Sequence, residues 1–400
     1  MIFKNKNINQ LNIHAALLVL SQNLVQVFGA IFFLQRGFDP SIVLGGWALI
    51  YFFRLILRPL AYKFIRFIGI REAAILGTLL YSCISIFLPM VNYPNWLFVG
   101  FLLYYAICEL IYWFAYHTYF SILSDGFHRG REVCARESLM MLAGAFAPAL
   151  GGILIQYIGF LFAGIIAACL TLVAAIPLLY LPDVKIGSKV KMRTVIKNVG
   201  GFGFKLWFGW AIMFYMFSFV WSIILFYLVG SYSLFGGMLT LEILFSVMIL
   251  NLVGNLIDRG AHMKVLKFSV TMIAFVVFLR VFVVNSLPLV IVAQFLSALS
   301  MAIFRPILIT SFYSRLKQSK NQLGFALFAE WGWDVGAVVS LSTAAVLYYS
   351  GFPFVYLMLI SIVGLLMCYY MLSNNIKDGS MQYNFSSLTY KIKSIFIHHK

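Results

Sequence analysis

Between about twelve apolar segments, each near the ~20 residues that cross a bilayer, lysine and arginine collect in every second connector and nearly vanish from the others. Of the 29 basic residues, all but five lie in that one set of connectors and in the two tails. Arg36 falls in the opposite set, while Arg54, Arg58, Arg280 and Arg305 lie inside apolar segments. Basic loops are retained on the cytoplasmic side of a membrane, so the alternation predicts both the span count and the orientation.

Composition agrees with that reading. Apolar residues make up 63% of the chain and charged ones 10%, too little polar surface to cover a soluble globule. A net charge of +17 would favour nucleic acid if it were gathered on one face, but it is dealt out loop by loop and so reads as topology and anionic-lipid contact. Cys83, Cys108, Cys134, Cys169 and Cys368 are odd in number and show no CxxC spacing, which predicts neither a disulfide framework nor a metal site. Lys4 and Lys6 precede an apolar stretch that runs to about Phe33 without a small-residue cleavage site, so it reads as a retained first span.

Spans are expected near 13–33, 43–62, 73–91, 95–121, 137–156 and 159–181, and again near 204–229, 233–256, 264–284, 288–312, 323–349 and 352–373. The longest connector, 182–203, carries Lys185, Lys189, Lys191, Arg193 and Lys197 and divides the spans six and six. The expected organisation is a six-helix unit over 1–181, a basic cytoplasmic linker over 182–203, a second six-helix unit over 204–373 and a basic cytoplasmic tail over 374–400. Both termini are then cytoplasmic, and the outward connectors are short and neutral.

After the eighth span comes Gly254-Asn255-Leu256-Ile257-Asp258-Arg259-Gly260. It resembles the GxLxDRxG signature of the major facilitator superfamily of transporters, which follows span 2 and often recurs after span 8. The resemblance implies an all-α integral membrane fold of twelve helices in two pseudo-symmetric bundles. It also implies that Asp258 and Arg259, beside Gly254, help latch the two halves. The first-half counterpart has drifted, with Tyr62 where the family usually has Asp. Ala147-Pro148-Ala149-Leu150-Gly151-Gly152 is similar to the family's GPxxGG element, frequent in proton-driven exporters; a kinked, close-packed helix explains Pro148, Gly151 and Gly152 as well.

Ionisable groups at membrane depth cost about 3 kcal/mol or more each and usually face a cavity or one another. Span 4 places Glu109, Tyr112, Trp113, Tyr116 and His117 on one helical face, and span 10 holds Arg305. Spans 1, 4, 7 and 10 line the cavity in the resembled family, which extends the candidates to Gln22, Asn23 and Gln26. Glu109 and Arg305 are then substrate or coupling candidates, or a buried pair that holds the bundle closed. Glu330 and Asp334 stand one turn apart on span 11, where mutual repulsion and desolvation favour holding a proton; with Glu109 they are the proton-coupling candidates. Arg54 and Arg58 lie one turn apart on span 2 and are expected either to meet Glu330 and Asp334 as a rebuilt latch or, for Arg58, to snorkel to the headgroups. Glu242 and Arg280 are expected to form a structural pair, and His14 to be solvated at a membrane edge.

The expectation is a secondary transporter without cofactor, no enzyme, in the cytoplasmic (inner) membrane. It would act as a monomer and move a small organic solute by alternating access, with proton-coupled export favoured. Uptake or facilitated diffusion, and a non-transporting role in lipid handling, assembly or reception, remain alternatives. No P-loop or nucleophile-base spacing points to ATP hydrolysis or to a membrane enzyme.

Overall fold

A computed structural model describes residues 5–123, 136, 139–184, 201–258, 262–319 and 322–378. Those residues are all-helical with short connections. Eleven helices are long and apolar enough to cross a membrane. In chain order the helices are α1 (Lys6–Gln35), α2 (Pro40–Ile68), α3 (Ile70–Met90), α4 (Trp96–Leu123), α5 (Leu139–Ile158) and α6 (Phe160–Leu179). They continue as α7 (Phe202–Val229), α8 (Tyr232–Asp258), α9 (His262–Val283), α10 (Leu287–Gln318), α11 (Gln322–Tyr349) and α12 (Phe354–Lys377). Only α11, at 28 residues, is long enough yet not apolar enough to count among the eleven. The same residues that dilute it, Glu330, Asp334, Gly332, Gly336, Ser340, Ser342 and Thr343, include its charged pair.

Local sequence sets the hairpins. Asn5 caps α1 by accepting from the backbone N–H groups of Asn7 and Ile8, and Asp39 caps α2 ahead of Pro40, the first-turn position proline tolerates. A single glycine separates α2 from α3 and another α5 from α6. Gly69 (φ 101°) and Gly159 (φ 90°) adopt backbone angles that an L side chain rarely takes.

The helix faces are inverted relative to a soluble protein. On α6 the buried positions are small, with Ala163, Gly164, Ala167, Ala168, Thr171 and Ala174, while Phe162, Ile165, Leu172 and Ile176 point outward and are exposed. Between helices in lipid there is no apolar surface to hide from water, so small residues that bring backbones together go inside and bulk goes to the lipid. Within the first half, α1 packs on α6, and α3 on α4; within the second, α7 packs on α11 and α12, and α9 on α10. Two seams join the halves, α2 against α11 and α5 against α8.

The α5–α8 seam is a backbone contact. A Cβ on Gly152 would stand 2.2 Å from the Tyr232 carbonyl oxygen, one on Gly236 2.0 Å from that of Pro148, and one on Gly151 1.9 Å from that of Leu24 on α1. The Pro148-Gly151-Gly152 element therefore serves close packing, and Pro148 also faces a cavity.

Candidate functional site

The functional groups gather in three layers between the two ends of the bundle. Here the end with the basic connectors is the basic end and the other the neutral end.

The middle layer is ionic. Arg54, Glu109 and Asp334 each fall near the middle of a helix of 28 or 29 residues, so all three lie at one depth. Arg54 Nη1 donates to Glu109 Oε2 at 2.5 Å, and its Nη2 stands 3.1 Å from Asp334 Oδ1 and 3.7 Å from Glu330 Oε2. Arg58, one turn on, donates to Asp334 Oδ2. The other Glu109 oxygen accepts from the Tyr81 hydroxyl at 2.8 Å. Two guanidinium groups on α2 thus hold one carboxylate within their own half and two across the seam on α11. Asp334 has no exposed side-chain surface, whereas the Glu330 side chain keeps 28% of its own. The fork geometry of arginine suits this bridging, since its donors can serve several carboxylate oxygens at once.

This layer decides several of the expectations above. Arg54 and Arg58 meet Glu330 and Asp334, and Arg58 is buried on Asp334 rather than extended to the headgroups. Glu109 gives its oxygens to Arg54 and Tyr81, so of the two readings above, the buried Glu109–Arg305 pair is not formed and Arg54 takes that place.

A cavity of about 250 Å³ lies on the basic side of the layer. Trp113, Tyr116, His117 and Arg305 line it with Arg54, Arg58, Glu109, Glu330 and Arg136. Trp113 and His117 stack at 5.3 Å, and Arg305 is exposed. Tyr112 does not line this cavity; it is buried and bonded through its hydroxyl to His14 Nε2 at 2.9 Å. His14 is itself fully buried, with Nδ1 2.6 Å from the Ala174 carbonyl, which corrects its placement at a solvated edge. A carbonyl can only accept, so Nδ1 carries the proton and Nε2 accepts from Tyr112. His14 ties α1 to α4 and α6.

On the neutral side lies a larger cavity, about 410 Å³. Asn23 and Gln26 line it; Gln22 does not. The sequence candidates for one substrate face are therefore divided between two chambers. The wall between them is aromatic as well as ionic: the Tyr51 ring lies 4.9 Å under the Arg54 guanidinium and 5.3 Å from Tyr215, which faces the larger cavity.

Glu242 opens onto the larger cavity and accepts from Gln294 Nε2. Arg280 is turned elsewhere, donating to the Phe217 carbonyl at 2.6 Å and to Ser297 Oγ at 2.7 Å, between the rings of Phe217 (4.3 Å) and Trp221 (4.2 Å). The expected Glu242–Arg280 pair is not a direct contact. The two terminal nitrogens of the guanidinium are taken by one carbonyl and one hydroxyl and its faces by an indole and a phenyl ring, while Nε is buried without a hydrogen-bond partner.

The chain has the fold of the nucleoside transporter NupG. That crystal structure, of a mutant form, matches with a TM-score of 0.62 at 13% identity, covering 92% of this chain and 99% of the other. The major facilitator resemblance read in the sequence is thus accompanied by a likeness of fold to one solved transporter. No protein-family model and no curated protein sequence matches the chain.

Gly254 and Asp258 fall in the last turns of α8; their side chains, and Arg259 altogether, lie outside the described residues. So do Cys134 and most of the 182–203 linker and 374–400 tail. Among the described residues no group of three or more His, Cys, Asp or Glu is placed to hold a metal ion.

Proposed function

We propose that the chain is a proton-coupled secondary transporter of a small organic solute, working by alternating access in the cytoplasmic membrane. Its twelve spans, α11 included, would form two six-helix units (1–181 and 204–373) around the 182–203 linker, with both termini cytoplasmic. The observation that carries this reading is the cross-half ion layer, in which Asp334 of one half stands between Arg54 and Arg58 of the other.

A closed seam at mid-membrane needs the carboxylates charged, since two desolvated arginines are otherwise left without counter-charge. A proton arriving through the basic-end cavity meets Glu330 first, then Asp334 or Glu109. Its uptake weakens the attraction to Arg54 and Arg58 and favours separation of the halves at the basic end, which is how a local charge change becomes a rigid-body movement. Trp113, Tyr116, His117 and Arg305 are the solute contacts in the basic-end chamber, and Asn23 and Gln26 in the other. Export is the favoured direction, on the likeness of Ala147 to Gly152 to the exporter element. One monomer holds the whole path.

The test is proton movement driven by solute in everted membrane vesicles that maintain a pH gradient, read with a fluorescent pH probe across a panel of amines, carboxylates and nucleosides. At least one compound is expected to release the gradient with the wild type and not with Asp334→Asn. Unchanged coupling in Asp334→Asn, Glu330→Gln and Glu109→Gln would overturn the proton role of these carboxylates and leave the ion layer purely structural, whereas no gradient release by the wild type with any compound would leave a facilitated carrier.

A further inference from the structure

We infer that the neutral-end chamber is a binding site for a monovalent organic cation, with the Glu242 carboxylate as its counter-charge and an aromatic wall around its body. Among the described residues on that chamber's lining, Glu242 is the one carboxylate and there is no Lys, Arg or His; the rest is carboxamide, hydroxyl, aliphatic and aromatic. By contrast, the described residues that line the basic-end chamber include four arginines and two glutamates. The two chambers differ in sign as well as in place.

The carboxylate is held ready rather than neutralised. An indole N–H can only donate, so the 2.6 Å contact from Trp221 Nε1 fixes the oxygen of Gln294 toward the indole and turns its amide nitrogen to Glu242. That bond engages one carboxylate oxygen, Oε2. Arg280, of the same half, turns its two terminal nitrogens to Phe217 and Ser297 and its face to the Trp221 ring rather than to Glu242. Its field offsets part of the charge of Glu242 without contact.

Helix geometry supplies the wall. Residues 215–219 of α7 form a π-helical turn, an uncommon widening that recurs at functional sites. The turn spans Phe217, whose carbonyl accepts from Arg280, and it brings Tyr215, Ser218 and Phe219 to the chamber. Trp47 of α2 faces Phe219 at 5.5 Å, so one aromatic element comes from each half. Phe101, Tyr105 and Phe214 are the other aromatic residues among those that line the chamber. A cation is attracted to ring faces, most of all when desolvated, and a chamber of about 410 Å³ is within the range that encloses a small organic ligand. An amine or quaternary ammonium carrying one aromatic ring fits the size, the charge and the walls.

The experiment is calorimetric titration of the purified full chain at pH 8 with benzyltrimethylammonium, and with benzoate and benzyl alcohol as anionic and neutral counterparts. The wild type is expected to bind the ammonium and neither counterpart at matched concentration. Glu242→Gln, which keeps shape and the Gln294 bond, should weaken binding at least tenfold; Trp47→Leu should weaken it several-fold. Leu172→Ala, on the outward face of α6, should leave it unchanged. Equal affinity in the wild type and Glu242→Gln, or benzoate bound as tightly as the ammonium, would overturn the assignment. The inference concerns binding alone: a chain that binds the ammonium but moves no protons sinks proton coupling and leaves this site standing.

Discussion

Two sets of buried charge sit at membrane depth in this chain, and they are satisfied in opposite ways. Arg54 and Arg58 touch carboxylates directly, and the partner that most completely encloses them, Asp334, belongs to the other half of the molecule. Arg280 and Glu242 belong to one half and reach each other only by way of ring faces and a carboxamide. Direct contact across a seam makes the attraction depend on whether the halves are together. Indirect satisfaction within a half survives any rigid movement of that half. The first arrangement suits a switch and the second a fixture.

The difference can be broken by substitution, and the largest effect is expected at the seam. Asp334→Ala leaves two buried guanidinium groups short of a partner and should cost about 3–5 kcal/mol, read as the largest fall in thermal unfolding temperature of any single change named here. Gly152→Val, where a Cβ would already lie 2.2 Å from the Tyr232 carbonyl oxygen, should cost about 1–3 kcal/mol by overpacking the other seam. It tests whether packing there matters independently of charge. A double-mutant cycle of Arg58→Met with Asp334→Leu should then give a coupling of about 1–3 kcal/mol, against less than about 0.5 kcal/mol for Arg280→Met with Glu242→Leu. Equal couplings would erase the contrast. The smallest loss is expected for His14→Phe, about 1–2 kcal/mol from its two hydrogen bonds, with no change in response to pH.

Much of this architecture was legible in the sequence, and what was not has a common cause. Charge alternation located the helices, and the rarity of charge inside apolar runs singled out Arg54, Arg58, Glu330 and Asp334, which do come together. The rotation of each helix about its axis was much harder to read. When lipid and core are both apolar, hydrophobic periodicity names no face, so Tyr112 and Gln22 were placed on a cavity that they do not line and His14 at an edge when it is buried. On α6 a different signal was available: its small residues fall on one side and its bulky ones on the other. Glu242 and Gln294 are 52 residues apart and bond directly, with the Gln294 amide oriented by Trp221 on a third helix, a three-body contact that no spacing rule exposes. The span count was harder at α11, because the residues that make it a candidate site also dilute its hydropathy.

The central claim is that protonation of the α2–α11 ion layer releases the halves at the basic end. It is tested most directly by the distance between spin labels at Ile122 of α4 and Gln318 of α10, both exposed at that end. The measurement uses proteoliposomes at pH 8 and pH 5, in a background without the native cysteines. The account predicts a shift to longer distances on acidification in the wild type, and in Asp334→Asn a distribution already long at pH 8 that acid barely moves. A wild-type distribution identical at the two pH values would contradict it.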